Sequence, residues 1–199
     1  MLLYDNPVSG NCYKVRLLLA HLAVPYERHT VDVVDRSNRR ELLAALNPAL
    51  RVPTLVLDDG RTLAESDAIL WYFGEGSRFV PEDRYDRARV LQWMFFEQYE
   101  HEPAIAVQRF GLAYSGRPEL FEERREERTR AGYRALEVME GHLVERQWFV
   151  GESMTVADIA LYAYTHVAHE GGFELERFSA ITAWLARLAA EPGHVTIDA

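Results

Sequence analysis

The segment Pro7-Val8-Ser9-Gly10-Asn11-Cys12-Tyr13-Lys14-Val15-Arg16 limits the fold more than any other part of the chain. It stands between a short apolar run, residues 1–4, and a stretch in which Val15, Leu18, Leu19 and Leu22 recur at one-turn spacing, which predicts a strand, a turn and the start of a helix. Backbone N–H groups at a helix start have no partners inside the helix, and the helix dipole adds partial positive charge. An anion placed beside Ser9 to Cys12 is therefore favoured.

The chain continues in the same style. Val24-Pro25 breaks the first helix, and residues 26–33 turn towards β-branched residues, predicting a second strand. Residues 38–46 carry Leu42, Leu43 and Leu46 on one side of a short helix that ends at Asn47-Pro48. A proline-led strand, residues 52–57, the turn Asp58-Asp59-Gly60 and a short strand around Thr62-Leu63 read as an antiparallel hairpin. Glu65-Ser66-Asp67 then opens a helix through Phe73, with Ser66 as N-cap. The order β-α-β-α-β-β-α is the thioredoxin-like arrangement, and the fold class expected is α+β. Residues 1–78 form a thioredoxin-like domain, residues 79–84 a polar linker, and residues 85–199 an all-helical domain.

In that second domain residues 90–96 are apolar nearly all round, so one face is free for another partner, most economically a second copy of the chain. Pro103 is expected to kink or interrupt this helix. Pro118 suits the first turn of the next helix. Its charged early part, residues 122–130, reads as a solvated face, and Gly132, Ala135, Leu136, Met139 and Leu143 line the other side. Thr155 and Asp158 make a variant capping box, with Met154 and Ile159 at the two positions of a hydrophobic staple, and a last helix covers residues 181–189.

The turn at Ser9, the Val52-Pro53 strand start, Glu65-Ser66 at a helix start and the capping box follow one another in an order that resembles the glutathione transferase family over nearly the whole chain. Ser9 falls where the theta-like and zeta-like classes carry a catalytic serine, and where omega-like members and glutaredoxins carry a reactive cysteine. The resemblance implies that Ser9 stabilises a glutathione thiolate, with Asn11 as a second polar contact. It implies that Pro53 is a cis-proline and that Val52 offers its backbone to the cysteinyl part of glutathione. Ser66 would take the γ-glutamyl carboxylate and Glu65 the amino group. Arg51, ahead of Arg39 and Arg40, would meet the glycyl carboxylate. Each residue also has a plain structural role open to it: Ser9 as a turn residue, Ser66 as a cap, the arginines as surface charge. The tyrosine-using classes place their tyrosine where Asp5 stands here; Tyr4, one residue away on a strand, points to the other face. Tyr13, Tyr99, Arg109, Phe110 and Tyr114 are expected to line a second-substrate cleft between the domains.

Cys12 occupies the second position of a C-x-x-C pair whose first position is Ser9, and as the one cysteine it forms no intrachain disulfide. It is either a small buried apolar residue or the thiol of a glutathione-dependent reductase or peroxidase. His166 and His169 are too few ligands for a metal, and none is expected. A net charge of −9 argues against nucleic acid or an anionic membrane as partner. No apolar run is long enough for a membrane span and no signal peptide is evident, so a cytoplasmic location is expected. The whole reads as a homodimeric glutathione transferase acting on a hydrophobic electrophile, with a glutathione-dependent reductase or a non-catalytic binding protein as alternatives.

Overall fold

The structure is a computed structural model that describes residues 1–199. The first seven elements follow the expected order: β1 (Leu2–Asp5), α1 (Gly10–His21), β2 (Glu27–Thr30), α2 (Arg39–Leu43), β3 (Thr54–Val56), β4 (Thr62–Ala64) and α3 (Ser66–Gly74). The strands form one sheet in the order β2-β1-β3-β4, with β1 parallel to β2 and antiparallel to β3. The β1–β2 pairing is parallel because α1 carries the chain back between the two strands, whereas β3 and β4 are joined by the tight turn at Gly60. Leu3 of β1, Val15 and Leu19 of α1, Leu55 of β3 and Ile69 of α3 meet in one buried cluster, so α1 and α3 lie against the same face of the sheet. Burying each such side chain is worth about 1.5–3 kcal/mol. Both helices are thereby packed on the sheet, and the candidate site lies at their N-terminal ends.

The helical remainder comprises α4 (Arg84–Phe96), α5 (Glu102–Arg109), α6 (Arg125–Leu143), α7 (Val156–Thr165) and α8 (Ser179–Ala189). Pro103 does not interrupt the helical run. A π-helical turn at Glu97–His101 precedes it and places the proline in the first turn of α5, where a missing N–H costs nothing. Gly132 of α6 is needed for close packing, since a Cβ there would lie 2.4 Å from the Phe173 ring. The capping box of α7 forms as expected. Asp158 is buried and accepts from the Thr155 N–H (2.9 Å) and hydroxyl (2.9 Å), the Phe149 N–H (3.1 Å) and the Trp184 indole (3.0 Å).

The chain divides into two compact units, residues 1–77 with 192–199, and residues 78–191. Two boundaries therefore differ from the sequence expectation. Phe79 and Val80 are buried within the helical unit, where the Phe79 carbonyl accepts from the Val156 N–H, because an aromatic and a β-branched residue inside a polar stretch find a core. Residues 192–199 return to the first unit instead of ending the helical one. The Tyr13 hydroxyl donates to the Val195 carbonyl (2.7 Å), and Arg28 donates to the Ala199 carbonyl (2.7 Å). Buried Arg16 donates to the Ile197 carbonyl (2.6 Å) and to Asp5 (2.6 Å).

Candidate functional site

Strand direction brings the three motifs together. β1 ends at Asp5 and leads into the Ser9 turn, β3 begins at Thr54 directly after Pro53, and β4 ends at Ala64 directly before Glu65. Because Tyr4 pairs with Thr54 and Thr54 with Ala64, these three termini lie side by side at one end of the sheet.

Ser9 is the N-cap of α1: its backbone is extended (φ −77°, ψ 118°), and its side-chain oxygen accepts the Cys12 N–H at 3.3 Å. A hydroxyl that accepts through its oxygen keeps its one hydrogen for donation. Asn6 braces the turn from below, receiving the Ser9 N–H on its carbonyl (3.1 Å) and the Val8 N–H on its side chain (3.1 Å). Arg16 donates to the Asn6 and Pro7 carbonyls (3.4 and 3.2 Å), so a buried guanidinium fixes the backbone immediately before Ser9.

The Val52–Pro53 peptide bond is cis. Pro53 is buried and Val52 half-buried, while Arg51 is exposed and its carbonyl accepts from Asn47 (3.1 Å) and Thr54 (2.8 Å). Arg39 donates to the carbonyls of Asp32 and Val33 (3.2 and 3.3 Å). Burial, with the Arg36 and Arg51 guanidiniums nearby, lowers its affinity for its proton. Arg40 is exposed.

Ser66 differs from its expected place as N-cap: Glu65 takes that position and Ser66 is the first helical residue. The reason is the Glu65 backbone, at φ 66° and ψ 116°, a conformation costing a non-glycine residue about 1–3 kcal/mol. It leaves the Glu65 side chain exposed beside the helix start. The Ser66 hydroxyl is then free of cap duty. It donates to Asn11 Oδ1 at 3.1 Å, joining the α3 start to the Ser9 turn across 55 residues of sequence. Lys14 Nζ lies 3.4 Å from the same hydroxyl and 3.1 Å from Asp67 Oδ1. Sequence reasoning missed Lys14. The available signal was a cation inside a stretch of α1 that is otherwise apolar from Cys12 to Leu19 except for Arg16.

Cys12 is wholly buried, and burial, aided by the Asp5 charge, raises its thiol well above the usual range; the opposing hydrogen bond from Ser9 is the smaller effect. Two of the residues expected to line a second-substrate cleft offer no surface for it. Tyr13 is fully buried with its hydroxyl on Val195, and Arg109 is buried within a closed triad. In that triad Arg109 donates to Glu170 (2.9 Å) and Tyr114 (2.9 Å), and the Tyr114 hydroxyl donates to Glu170 (2.8 Å). Their amphipathic side chains resemble cleft residues in sequence, and only the partners reveal the difference. Phe110 and Tyr114 are half-buried, and Tyr99 is 79% exposed.

The glutathione S-transferase N-terminal domain model matches residues 8–75 and the corresponding C-terminal domain model residues 96–192. Glutathione S-transferase 2 of Anopheles gambiae is 30% identical over 96% of this chain and 91% of its own length. The crystal structure of a glutathione S-transferase from Pseudomonas fluorescens matches with a TM-score of 0.95 at 47% identity, covering 98% of both chains. The chain belongs to the glutathione S-transferase family. A possible glutathione S-transferase from Rhodopseudomonas palustris is similarly close, with a TM-score of 0.95 and 46% identity over all of this chain and 90% of the other. The glutathione S-transferase N-terminal match opens at Val8, one residue before Ser9, and closes at Glu75. It thus contains the Ser9 turn, the cis-proline and Glu65-Ser66 together.

Proposed function

We propose that this family member binds glutathione at the sheet end where the three motifs meet, and transfers it to hydrophobic electrophiles through a thiolate stabilised by Ser9, in the manner of the serine-type classes. The observation carrying this reading is the Ser9 hydroxyl, anchored through its oxygen to the first turn of α1 with its hydrogen left to donate. A thiol near pKa 8.5 needs about 2.7 kcal/mol of preference for the anion to fall by roughly two units. A hydrogen bond to a charged acceptor supplies roughly 1.5–3 kcal/mol, and a helix N-terminus about 0.3–1. No separate base is required. Asn11 adds a second polar group, Val52 a backbone edge for the cysteinyl part, Ser66 and Glu65 the two ends of the γ-glutamyl zwitterion, and Arg51 a cation for the glycyl carboxylate.

The buried, proton-retaining Cys12 disfavours the thiol-reductase reading, because the thiolate is the reactive form. Phe95 and Tyr99, 61% and 79% exposed, support a homodimer in which a second copy covers them. With one cysteine, and no helix long and apolar enough to cross a membrane, we place the protein in the cytoplasm.

The deciding experiment is a pH–rate profile with a generic aromatic electrophile, beside a reductase assay with a glutathione mixed disulfide. Ser9→Ala is expected to lower the neutral-pH rate and move the profile to higher pH, while Cys12→Ser changes little. Loss of turnover in Cys12→Ser with Ser9→Ala unaffected would replace the transferase reading by the reductase one.

A further inference from the structure

Lys14 sits in the second turn of α1 with no exposed surface, one of the few ionisable side chains in the molecule so placed. Burying an ammonium is unfavourable unless its partners are well arranged, so its location calls for a reason. Its partners include the Ser66 hydroxyl and the Asp67 carboxylate, both in the first turn of α3. We propose that Lys14 is a positioning residue that makes the α3 start receptive to a carboxylate, by offsetting Asp67 and fixing the orientation of the Ser66 hydroxyl. The inference rests on the glutathione reading, in which the γ-glutamyl carboxylate is received at Ser66.

Two effects combine. Asp67 suits the helix dipole, but its negative charge lies one residue from Ser66 and repels any incoming anion. The Lys14 ion pair removes that repulsion from a direction the ligand does not need, since it approaches from inside the core. The second effect is directional. A serine hydroxyl has one hydrogen, and Lys14 claims a lone pair of the Ser66 oxygen at 3.4 Å. The hydrogen is thereby turned away from the ammonium, towards Asn11 Oδ1 at 3.1 Å. A bound carboxylate takes that hydrogen in place of Asn11, with the ammonium one hydroxyl behind it. The exchange moves the Ser66 hydrogen from Asn11 Oδ1 in the Ser9 turn to the docking γ-glutamyl end, so one proton links the two halves of the site.

Calorimetry on the full chain tests this with two ligands, glutathione and N-acetyl-cysteinylglycine, which has the thiol and glycyl carboxylate but no γ-glutamyl carboxylate. Opposite charges 4–6 Å apart typically alter an equilibrium tenfold or more. Lys14→Met is therefore expected to weaken glutathione binding by about tenfold, appearing in KM while kcat at saturation holds. Binding of N-acetyl-cysteinylglycine should not change. Asp67→Asn, which retains an acceptor for Lys14 and leaves the ammonium charge unopposed beside Ser66, should tighten glutathione severalfold; a merely structural pair gives no gain. Should Lys14→Met fail to fold, Asp67→Asn carries the test alone. Equal weakening of both ligands in Lys14→Met, or weaker glutathione binding in folded Asp67→Asn, overturns the proposal. Wild-type protein that binds no glutathione removes the underlying reading, an outcome distinct from normal wild-type binding that the variants leave unaltered.

Discussion

Replacing Asp158 by alanine should remove far more stability than the loss of one helix cap. Its carboxylate receives two backbone N–H groups, an indole N–H and a hydroxyl, all buried. In Asp158→Ala the Thr155 hydroxyl keeps no partner on that side, and three N–H donors lose theirs. An unsatisfied buried donor costs about 1–3 kcal/mol, so the loss at pH 7 is of order 4 kcal/mol after allowance for relaxation and entering water. That is a large part of the 5–15 kcal/mol typical of a folded protein. The loss also depends on pH. Burial raises the Asp158 carboxyl to about 6, its four hydrogen bonds pulling the other way, and the Thr155 hydroxyl can reverse to accept the proton. The folded value lies above the unfolded one, so the contribution is fully present below about pH 4 and declines by about 3 kcal/mol as pH rises to 6. Urea unfolding of wild type and Asp158→Ala, followed by near-ultraviolet circular dichroism at pH 4.5 and 7, measures both quantities. A difference below about 1 kcal/mol at pH 7, or one that shrinks on acidification, refutes the reasoning.

Two further outcomes are expected. Glu65→Ala should weaken glutathione binding by about 1.5–3 kcal/mol by calorimetry with the fold intact, since the side chain is exposed and makes no cap; unchanged affinity removes its assignment to the amino group. Phe95→Asp places a charge on the exposed face of α4 and should shift sedimentation from dimer to monomer at micromolar concentration. A wild-type monomer refutes the dimer.

Element order was legible because apolar spacing changes cleanly from strand to helix around Ser9, and because Pro25, Pro48 and Gly60 punctuate the chain where the structure turns. The Thr155–Asp158 box was legible because a cap is a local contract between residues three apart. Contacts across long stretches were not. Nothing near Lys14 announces Asp67, and nothing near Tyr13 announces Val195, because those pairings are created by the packing of α1 against α3 and by the returning residues 192–199. Ser66 looked like a cap because serine before a helix usually is one; the positive φ of Glu65 moved the helix start by one residue and gave the hydroxyl other work. Phe79 and Val80 were read as linker because the stretch around them is polar, although an aromatic and a β-branched residue suffice to pin a connection into a core.

Residues 192–199 give the first unit an unusual order of completion. A ribosome delivers residues 1–77 first, and their sheet and helices have most of their partners at once. Arg16, however, grips the carbonyls of Asn6 and Pro7 while also reaching Ile197, which emerges only after the helical unit has been made. Until then the guanidinium lacks one of the acceptors that hold it in place, and the backbone it steadies is the one leading into Ser9. The bracing of the Ser9 turn thus draws on a segment 181 residues beyond Arg16, and its set of contacts closes only once residues 192–199 have followed the helical unit out of the ribosome.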